Sequence, residues 1–333
     1  MIKYLKYEFK KNVWALLIIT AICAVPYVLE AATMEMWWES YDGRIVINRP
    51  NTSMLFVMLV ILTFIVPVLS YSFKMNKRGV DGFYGLPIKR EKLYFVKMLV
   101  GAALIVIPFT VAYWLGFFAL LVRERNPYQM VYYVPMYFGY VGLGLLMFGF
   151  HSFLFTRANK IGDGVVFMLA YAPIMTLIMW YVEEAFSLDI PLQVEEGFTS
   201  WGALSAFDTN MVELIRSGTA YAKAWSAWTY VYCIVTGILG YVLLFLSIRF
   251  ERAENAEQVS ESWFGYKVII PVYTAFMLAG NLGNSTSPLF VCLILVCAII
   301  ATIVYQRKFK FPARCWGMIA VGLIAGLVLN VFI

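Results

Sequence analysis

Residues 53–73 read SMLFVMLVILTFIVPVLSYSF and contain no Asp, Glu, Lys or Arg. The apolar residues do not alternate with polar ones, as they would in a strand of a membrane barrel. An α-helix rises 1.5 Å per residue, so about 20 apolar residues cross a hydrocarbon core about 30 Å thick. Since backbone polar groups inside a bilayer must bond within the chain, the stretch predicts a transmembrane α-helix.

Blocks of the same kind recur along the chain. Of its 333 residues, 62% are hydrophobic and 14% are charged, whereas about 25% of the residues in a soluble domain are charged. We therefore predict an all-α integral membrane protein, a polytopic helix bundle of about nine spans. The predicted spans are 13–32, 53–73, 93–122, 131–155, 161–181, 227–248, 267–282, 288–305 and 316–333. The 267–282 stretch is short and contains Pro271, so the alternative is a re-entrant segment and eight spans.

Residues 1–12 predict an amphipathic helix that lies in the membrane interface. At 100° per residue, an apolar wedge forms beside a basic flank. The wedge comprises Ile2, Leu5, Phe9 and Val13, and the flank comprises Lys3, Lys6 and Lys10. Such a helix places its apolar side in the bilayer and its lysines beside anionic headgroups.

Basic residues decide the predicted orientation, because cytoplasmic loops of membrane proteins are enriched in Lys and Arg. With the N-terminus in the cytoplasm, 20 of the 26 Lys and Arg residues lie inside and 6 lie outside. This orientation makes the segment 182–226 external. That segment is acidic, and its apolar pieces, 198–207 and 211–215, are too short to span a membrane.

The loop between the second and third predicted spans is the most informative. Residues 72–97 read SFKMNKRGVDGFYGLPIKREKLYFVK. The loop combines charged, aromatic and turn-forming residues: Lys77, Arg78, Asp81, Phe83, Tyr84, Leu86, Pro87, Lys89 and Arg90. A short element tethered to two membrane helices can transmit a push from a soluble partner. Apolar side chains would fill a groove of that partner, and charges would set the register.

This segment resembles the cytoplasmic coupling loop of type-2 ATP-binding-cassette (ABC) transporter permeases, the transmembrane subunits, of the Gram-positive bacterial type. There an acidic residue, a Leu, a Leu-Pro or Thr-Pro step, one or two basic residues and a later Lys recur at similar spacing. The residues that fit those places are Asp81, Leu86, Pro87, Lys89, Arg90 and Lys97. The resemblance, which covers roughly residues 1–262, implies a six-span core over 13–248, with coupling loop 74–92 and external segment 182–226. A cytoplasmic loop, 249–266, and additional C-terminal spans, 267–333, would follow.

The resemblance also implies a function and partners. The chain would be the permease of an ATP-driven exporter or extractor in a bacterial cytoplasmic membrane, with an amphipathic substrate such as an antimicrobial peptide, a lipid or a cell-envelope component. The sequence contains no G-x-x-x-x-G-K-[ST] phosphate loop. ATP and Mg²⁺ would therefore belong to a separate ABC ATP-binding subunit. A second permease copy or homologue is implied, an accessory extracellular protein is compatible with the layout, and no nucleic acid is expected.

Three alternatives stay open. The loop could be basic only because cytoplasmic loops of all membrane proteins are enriched in Lys and Arg, without any docking role. An ion-coupled secondary transporter would need ionisable residues at the centre of the bundle. A scaffold or sensor would transport nothing.

We assign no catalytic or metal-binding residue. His151 is the only histidine, so we interpret it as bonded to a neighbouring backbone or hydroxyl group rather than as a metal ligand. Glycines of the fourth span and the Gly322-x-x-x-Gly326 pair allow close helix approach and are a weak indication of a dimer face.

Overall fold

The computed structural model describes most of the chain as α-helix. The described residues are 2–39, 45–123, 126–186, 200–219, 227–250, 253–282, 288–307 and 312–331. The eleven helices of this part are α1 (Ile2–Thr33), α2 (Ser53–Tyr71), α3 (Lys77–Tyr84), α4 (Arg90–Leu121), α5 (Tyr133–Thr156), α6 (Ile161–Phe186), α7 (Ser200–Ser217), α8 (Ala227–Ile248), α9 (Tyr266–Leu282), α10 (Pro288–Gln306) and α11 (Ala313–Val331). Two short strands, β1 (Trp37–Glu39) and β2 (Ile45–Ile47), pair antiparallel, with Trp38 opposite Val46.

Within the described residues, six helical stretches are long and apolar enough to cross a membrane. They are Ile2–Thr33, Ser53–Met75, Arg90–Leu121, Met130–Thr156, Tyr230–Ile248 and Ala313–Asn330. The chain is thus an α-helical, multi-pass membrane protein. The other three predicted spans lie on α6, α9 and α10, where the described apolar stretches, Ile161–Ile174, Tyr266–Ala279 and Val291–Gln306, are shorter.

Contacts between helices divide the chain into two compact units. Unit 1 contains residues 1–71, 86–152 and 200–250, and unit 2 contains 72–85, 153–199 and 251–333. This grouping differs from the predicted six-span core with additional C-terminal spans, because α6 belongs with α9, α10 and α11. One reason is a direct bond: the hydroxyl of Tyr273 on α9 donates to the carbonyl oxygen of Ala170 on α6, at 2.9 Å.

In unit 1, α1 runs along α4 as one unbroken helix. The predicted interfacial helix over 1–12 is therefore not a separate element. Asn12, at the expected boundary, donates from its side chain to the carbonyl oxygen of Glu8 at 2.8 Å and continues the helix. A helix of 32 residues is about 48 Å long, longer than the hydrocarbon core, so its basic first turns can still reach the headgroup layer.

The face that α1 buries near its N-terminus is polar. Ile2 and Phe9, from the predicted apolar wedge, are 69% and 39% exposed, whereas Tyr4 and Glu8 are buried. The hydroxyl of Tyr4 donates to one carboxylate oxygen of Glu8 at 2.8 Å. The ammonium group of Lys97 on α4 donates to the other oxygen, also at 2.8 Å. The side chains of Lys97 and Glu8 are only 8% and 0% exposed, so α1 and α4 share a buried ion pair.

In unit 1, α7 is the packed helix of the segment 182–226. The apolar pieces that the sequence places in the 182–226 segment lie on α7, apart from residues 198 and 199, which are outside the described residues. Asp208 of this helix accepts hydrogen bonds from Thr52, at 2.6 Å, and from Tyr140. Burial raises the pKa of the Asp208 carboxyl group, and these two hydrogen bonds oppose that shift. This helix thus packs within unit 1 through a polar group as well as through its apolar side chains.

The helices of unit 2 approach one another closely. A Cβ atom at Gly322 of α11 would lie 2.9 Å from the carbonyl oxygen of Pro271 on α9, and one at Gly326 would lie 2.8 Å from that of Ala275. This glycine pair therefore serves packing within the chain.

A buried carboxylate also joins elements of unit 2. Near the start of α6, Asp163 accepts a hydrogen bond from Tyr266 at 3.1 Å and forms a two-oxygen ion pair with Arg307, at 3.0 and 3.1 Å.

The histidine prediction is confirmed. His151 is buried in unit 1, its Nδ1 atom lies 3.2 Å from the carbonyl oxygen of Thr63, and its ring packs on Phe64. The side chain therefore satisfies a backbone group inside the bundle.

We predict that Lys97→Met destabilises the protein by about 3 kcal/mol, because it leaves the buried Glu8 carboxylate without its counter-charge. The double variant Glu8→Gln/Lys97→Met should recover most of this loss, since neither remaining group is charged. The measurement is the apparent melting temperature in detergent. Lys92→Met, at an exposed lysine of the same helix, is the control and should stay close to the original protein. A double variant no more stable than Lys97→Met would contradict the explanation.

Candidate functional site

The predicted coupling segment is the chain between α2 and α4. It begins with a 3₁₀ turn at Ser72–Met75, continues through α3, and turns at residues 85–89 into α4. Its first part, to residue 85, belongs to unit 2, and the part from residue 86 onward belongs to unit 1. The candidate residues are therefore divided between the two units.

Local sequence explains why α3 forms and where it ends. Asn76 is extended, with φ −119° and ψ 129°, and its side-chain oxygen accepts from the backbone N–H of Arg78 at 3.0 Å. This is an N-cap, which satisfies one of the free N–H groups of the first turn. At the other end, the N–H of Gly85 donates to the carbonyl oxygen of Asp81 at 3.0 Å. The following Leu86-Pro87 step prevents the helix from continuing, because the residue before a proline disfavours helical backbone.

Aromatic packing holds α3 against the turn that precedes it. Phe73 is buried, and its ring centroid lies 4.7 Å from that of Phe83 and 6.5 Å from that of Tyr84. Val80 is only 4% exposed. Gly79 allows this approach, because a Cβ atom there would overlap the carbonyl oxygen of Phe73. The short helix is thus fixed on one side.

The charged residues of α3 lie on its other side. Lys77, Arg78 and Asp81 are exposed. The ammonium group of Lys77 lies 3.9 Å from a carboxylate oxygen of Glu257, and its backbone N–H donates to the other oxygen at 3.4 Å. An exposed ion pair of this kind stabilises by about 1 kcal/mol at most, so its role is mainly to set position.

Glu257 is itself held by a second loop of unit 2. Its backbone is left-handed, with φ 66°, and its N–H donates to the carbonyl oxygen of Asn159 at 3.1 Å. The hydroxyl of Ser260 donates to the carbonyl oxygen of Arg157 at 2.8 Å. These bonds join the loop after α8 to the loop between α5 and α6, and α3 rests on the former through Glu257.

In unit 1, the second part of the segment leads into α4. Leu86 is half-buried, and Pro87, Lys89 and Arg90 are exposed. Glu91, in the first turn of α4, accepts from the guanidinium group of Arg249 at 3.0 Å. An acidic residue at this position also suits the positive end of the helix.

The structure confirms neither role nor partner for these residues, but it shows which of them offer a surface. Five of the nine are exposed charged side chains: Lys77, Arg78, Asp81, Lys89 and Arg90. Phe83 and Tyr84 are half-buried and pack on Phe73, so they are partly used inside unit 2. The later lysine of the family pattern, Lys97, is buried against Glu8 and offers no surface.

Sequence reasoning overlooked four residues that hold the segment: Phe73, Asn76, Gly79 and Glu257. The role of Asn76 could have been predicted from the sequence, since an Asn before an amphipathic stretch favours an N-cap. Glu257 carries none, because it contacts Lys77 across 180 positions of the sequence.

The basic residues predicted for the interface are exposed on α1. Lys3, Lys6 and Lys10 all lie on its surface, beside the partly exposed Phe9. They lie in unit 1, on the first three turns of the helix.

Comparison with known proteins adds no relative: no family model, no curated protein and no solved structure matches this chain.

We predict that Gly79→Ala displaces α3, because the added methyl group overlaps a backbone oxygen that cannot rotate away. Gly82→Ala is the matched control: nothing lies within 4 Å of its Cβ position, and alanine favours a helix over glycine by about 1 kcal/mol. Hydrogen–deuterium exchange of peptides covering residues 72–90 should speed up in the first variant and slow down or stay unchanged in the second. Equal protection in both variants would contradict the described packing of α3.

Proposed function

We propose that this chain is the membrane-spanning permease subunit of an ATP-driven ABC transporter, with about nine spans and a cytoplasmic N-terminus. The observation that carries the proposal is the segment 72–92. It presents Asp81, Leu86-Pro87 and Lys89-Arg90 in the family's order, and it builds a capped, eight-residue helix between two long apolar helices.

The charge asymmetry of membrane proteins explains why this loop is basic, but not why it is folded. The cap at Asn76, the close approach at Gly79 and the ring contacts of Phe73 fix the backbone and leave the charged side chains outward. Pre-organised elements of this kind lose little conformational freedom on binding. This supports a docking role for the segment.

In the proposed mechanism, an ABC ATP-binding subunit docks on this segment. ATP and Mg²⁺ bind to that subunit, whose closure moves the segment. Because the segment is covalently continuous with α2 and with α4, its displacement acts directly on two membrane helices. Leu86 supplies the apolar contact, and Lys89 and Arg90 supply charges that fix register. A second copy of the chain, or a homologue, completes the translocation path.

The proposed substrate is an amphipathic molecule for export or extraction: an antimicrobial peptide, as in antibiotic resistance, a lipid or a cell-envelope component. This choice of substrate rests on the resemblance to type-2 ABC permeases. The acidity of segment 182–226 gives little support among the described residues, since Asp208 is half-buried and hydrogen-bonded and Glu213 is paired with Arg216 at 2.6 Å. The acidic residues Asp189, Glu195 and Glu196 lie outside the described residues.

The alternatives make different demands. An ion-coupled transporter needs a carboxylate that exchanges its cation or proton within the bundle. The buried carboxylates Glu8 and Asp163 are each held in an ion pair, with Lys97 and Arg307 respectively, which favours a structural role for both. A scaffold needs no ATPase partner, so isolation of the complex separates it from the permease.

We predict that mild-detergent purification from the native host recovers a stoichiometric ABC ATPase, identified by mass spectrometry. Leu86→Asp and the double reversal Lys89→Glu/Arg90→Glu should each lose most of that ATPase. The first variant removes the apolar contact, and the second places negative charges where the ATPase surface expects positive ones. Both variants should insert and elute as the original protein does on size exclusion.

The control is Lys3→Glu/Arg314→Glu, which reverses two exposed basic residues outside segment 74–92 and should retain the ATPase. Leu86→Met should retain it as well, since volume and apolarity are kept. An ATPase that co-purifies equally with all four variants would refute the docking assignment. A chain that purifies alone would favour the secondary-transporter or scaffold reading.

A further inference from the structure

An apolar groove runs between the first turns of α1 and the start of α4 in unit 1. Its volume is about 480 Å³. The lining is apolar apart from two lysines, and its apolar members are Leu5, Phe9, Val13, Leu99, Val100 and Ala103. Phe9 and Leu99 are each more than a third exposed, so the groove opens sideways at the surface of the unit.

The two lysines, Lys6 and Lys10, lie at the edge of this groove. They are four residues apart on one helix, which places their Cβ atoms about 6 Å from each other on the same face. Both are exposed, and neither forms an ion pair in the part of the chain that the structure describes. Two ammonium groups at this spacing can bind one phosphate group together.

The acid on the same helix does not cancel their charge. Glu8 lies between them in sequence but points to the opposite side, where Lys97 neutralises it at 2.8 Å. The groove therefore keeps a net positive edge above an apolar floor. That combination matches a molecule with an anionic head and a hydrocarbon tail.

The position along α1 fits the same occupant. From Val13 to Val28 the helix has no charged residue, so this part suits the hydrocarbon core, and the turns with Lys6 and Lys10 fall at the headgroup layer. This placement holds whichever side of the membrane the N-terminus occupies.

We infer that this groove is a discrete binding site for an anionic phospholipid, whose phosphate is held by Lys6 and Lys10 and whose acyl chain lies along the apolar floor. The site goes beyond the general attraction of a basic helix to a charged surface, because it needs both the lysine pair and the space between α1 and α4. It is independent of the proposed ATPase partner.

The test uses the full-length protein, purified in a mild non-ionic detergent. Phosphatidylglycerol and phosphatidylcholine with identical acyl chains are added in turn. Retained lipid is counted by native mass spectrometry, and stabilisation is measured as the shift in melting temperature. Phosphatidylglycerol should be retained in a ratio of one per chain and should raise the melting temperature. Phosphatidylcholine should do so much less.

The double variant Lys6→Gln/Lys10→Gln should weaken phosphatidylglycerol binding by about 25-fold, taking roughly fivefold for each basic residue near the anionic group. Lys92→Gln/Arg314→Gln removes the same two charges from exposed positions outside the groove and should change binding little. Ala103→Phe fills the floor with the lysines intact, and it should abolish the one-to-one retention without unfolding the protein, as its melting temperature in lipid-free detergent would show.

Four results would each overturn the site: equal binding of the two lipids, an equal loss in the Lys92→Gln/Arg314→Gln control, retention undiminished in Ala103→Phe, or the same stabilisation by inorganic phosphate alone. A dimer in native mass spectra that dissociates in Ala103→Phe would also overturn it, since the occupant would then be a second chain.

Discussion

The structure depends on one constraint: inside hydrocarbon, every backbone N–H and C=O group must find its partner within the protein. Helices meet this requirement locally, and the six long apolar stretches are the direct consequence. Without water to drive apolar helices together, their association relies on close packing. The glycines at 322 and 326 show how this works, since α11 reaches the backbone of α9 at both positions.

A related cost governs the charged groups that are buried between helices near the helix ends. A carboxylate in this environment is costly unless it is paired and hydrogen-bonded. Glu8 has a lysine and a tyrosine, and Asp163 has an arginine and a tyrosine. Each set joins helices that lie far apart in sequence: α1 with α4 in unit 1, and α6 with α9 and α10 in unit 2. Polar residues therefore specify which helices become neighbours, a choice that apolar surfaces alone leave open.

Apolar runs, which make the helices, can be recognised in the sequence, whereas the polar pairs that choose helix neighbours cannot. Helix type and approximate position follow from runs of apolar residues, and the described residues of all nine predicted spans lie on helices. No helix ends at the predicted boundary after residue 12, because an amphipathic turn and an apolar turn can belong to one helix, α1. The units could not be predicted, because the bonds that define them, such as Lys97 to Glu8 across 89 positions, leave no periodic signal. For the candidate segment, the exposed charges were readable from composition, whereas its support by Phe73 and Glu257 depends on tertiary contacts.

The segment between α2 and α4 is more ordered than its charge alone requires. If its basic residues served only to keep the loop on one side of the membrane, a flexible chain of the same charge would suffice. Flexible loops do not require an N-cap, a glycine that permits contact with a backbone oxygen, or a buried phenylalanine. Here all three occur within residues 73–79, and each restricts the backbone without altering its charge. The rigidity is thus separate from the orientation signal, and a surface held rigid with its charges outward is what a partner that transmits force needs.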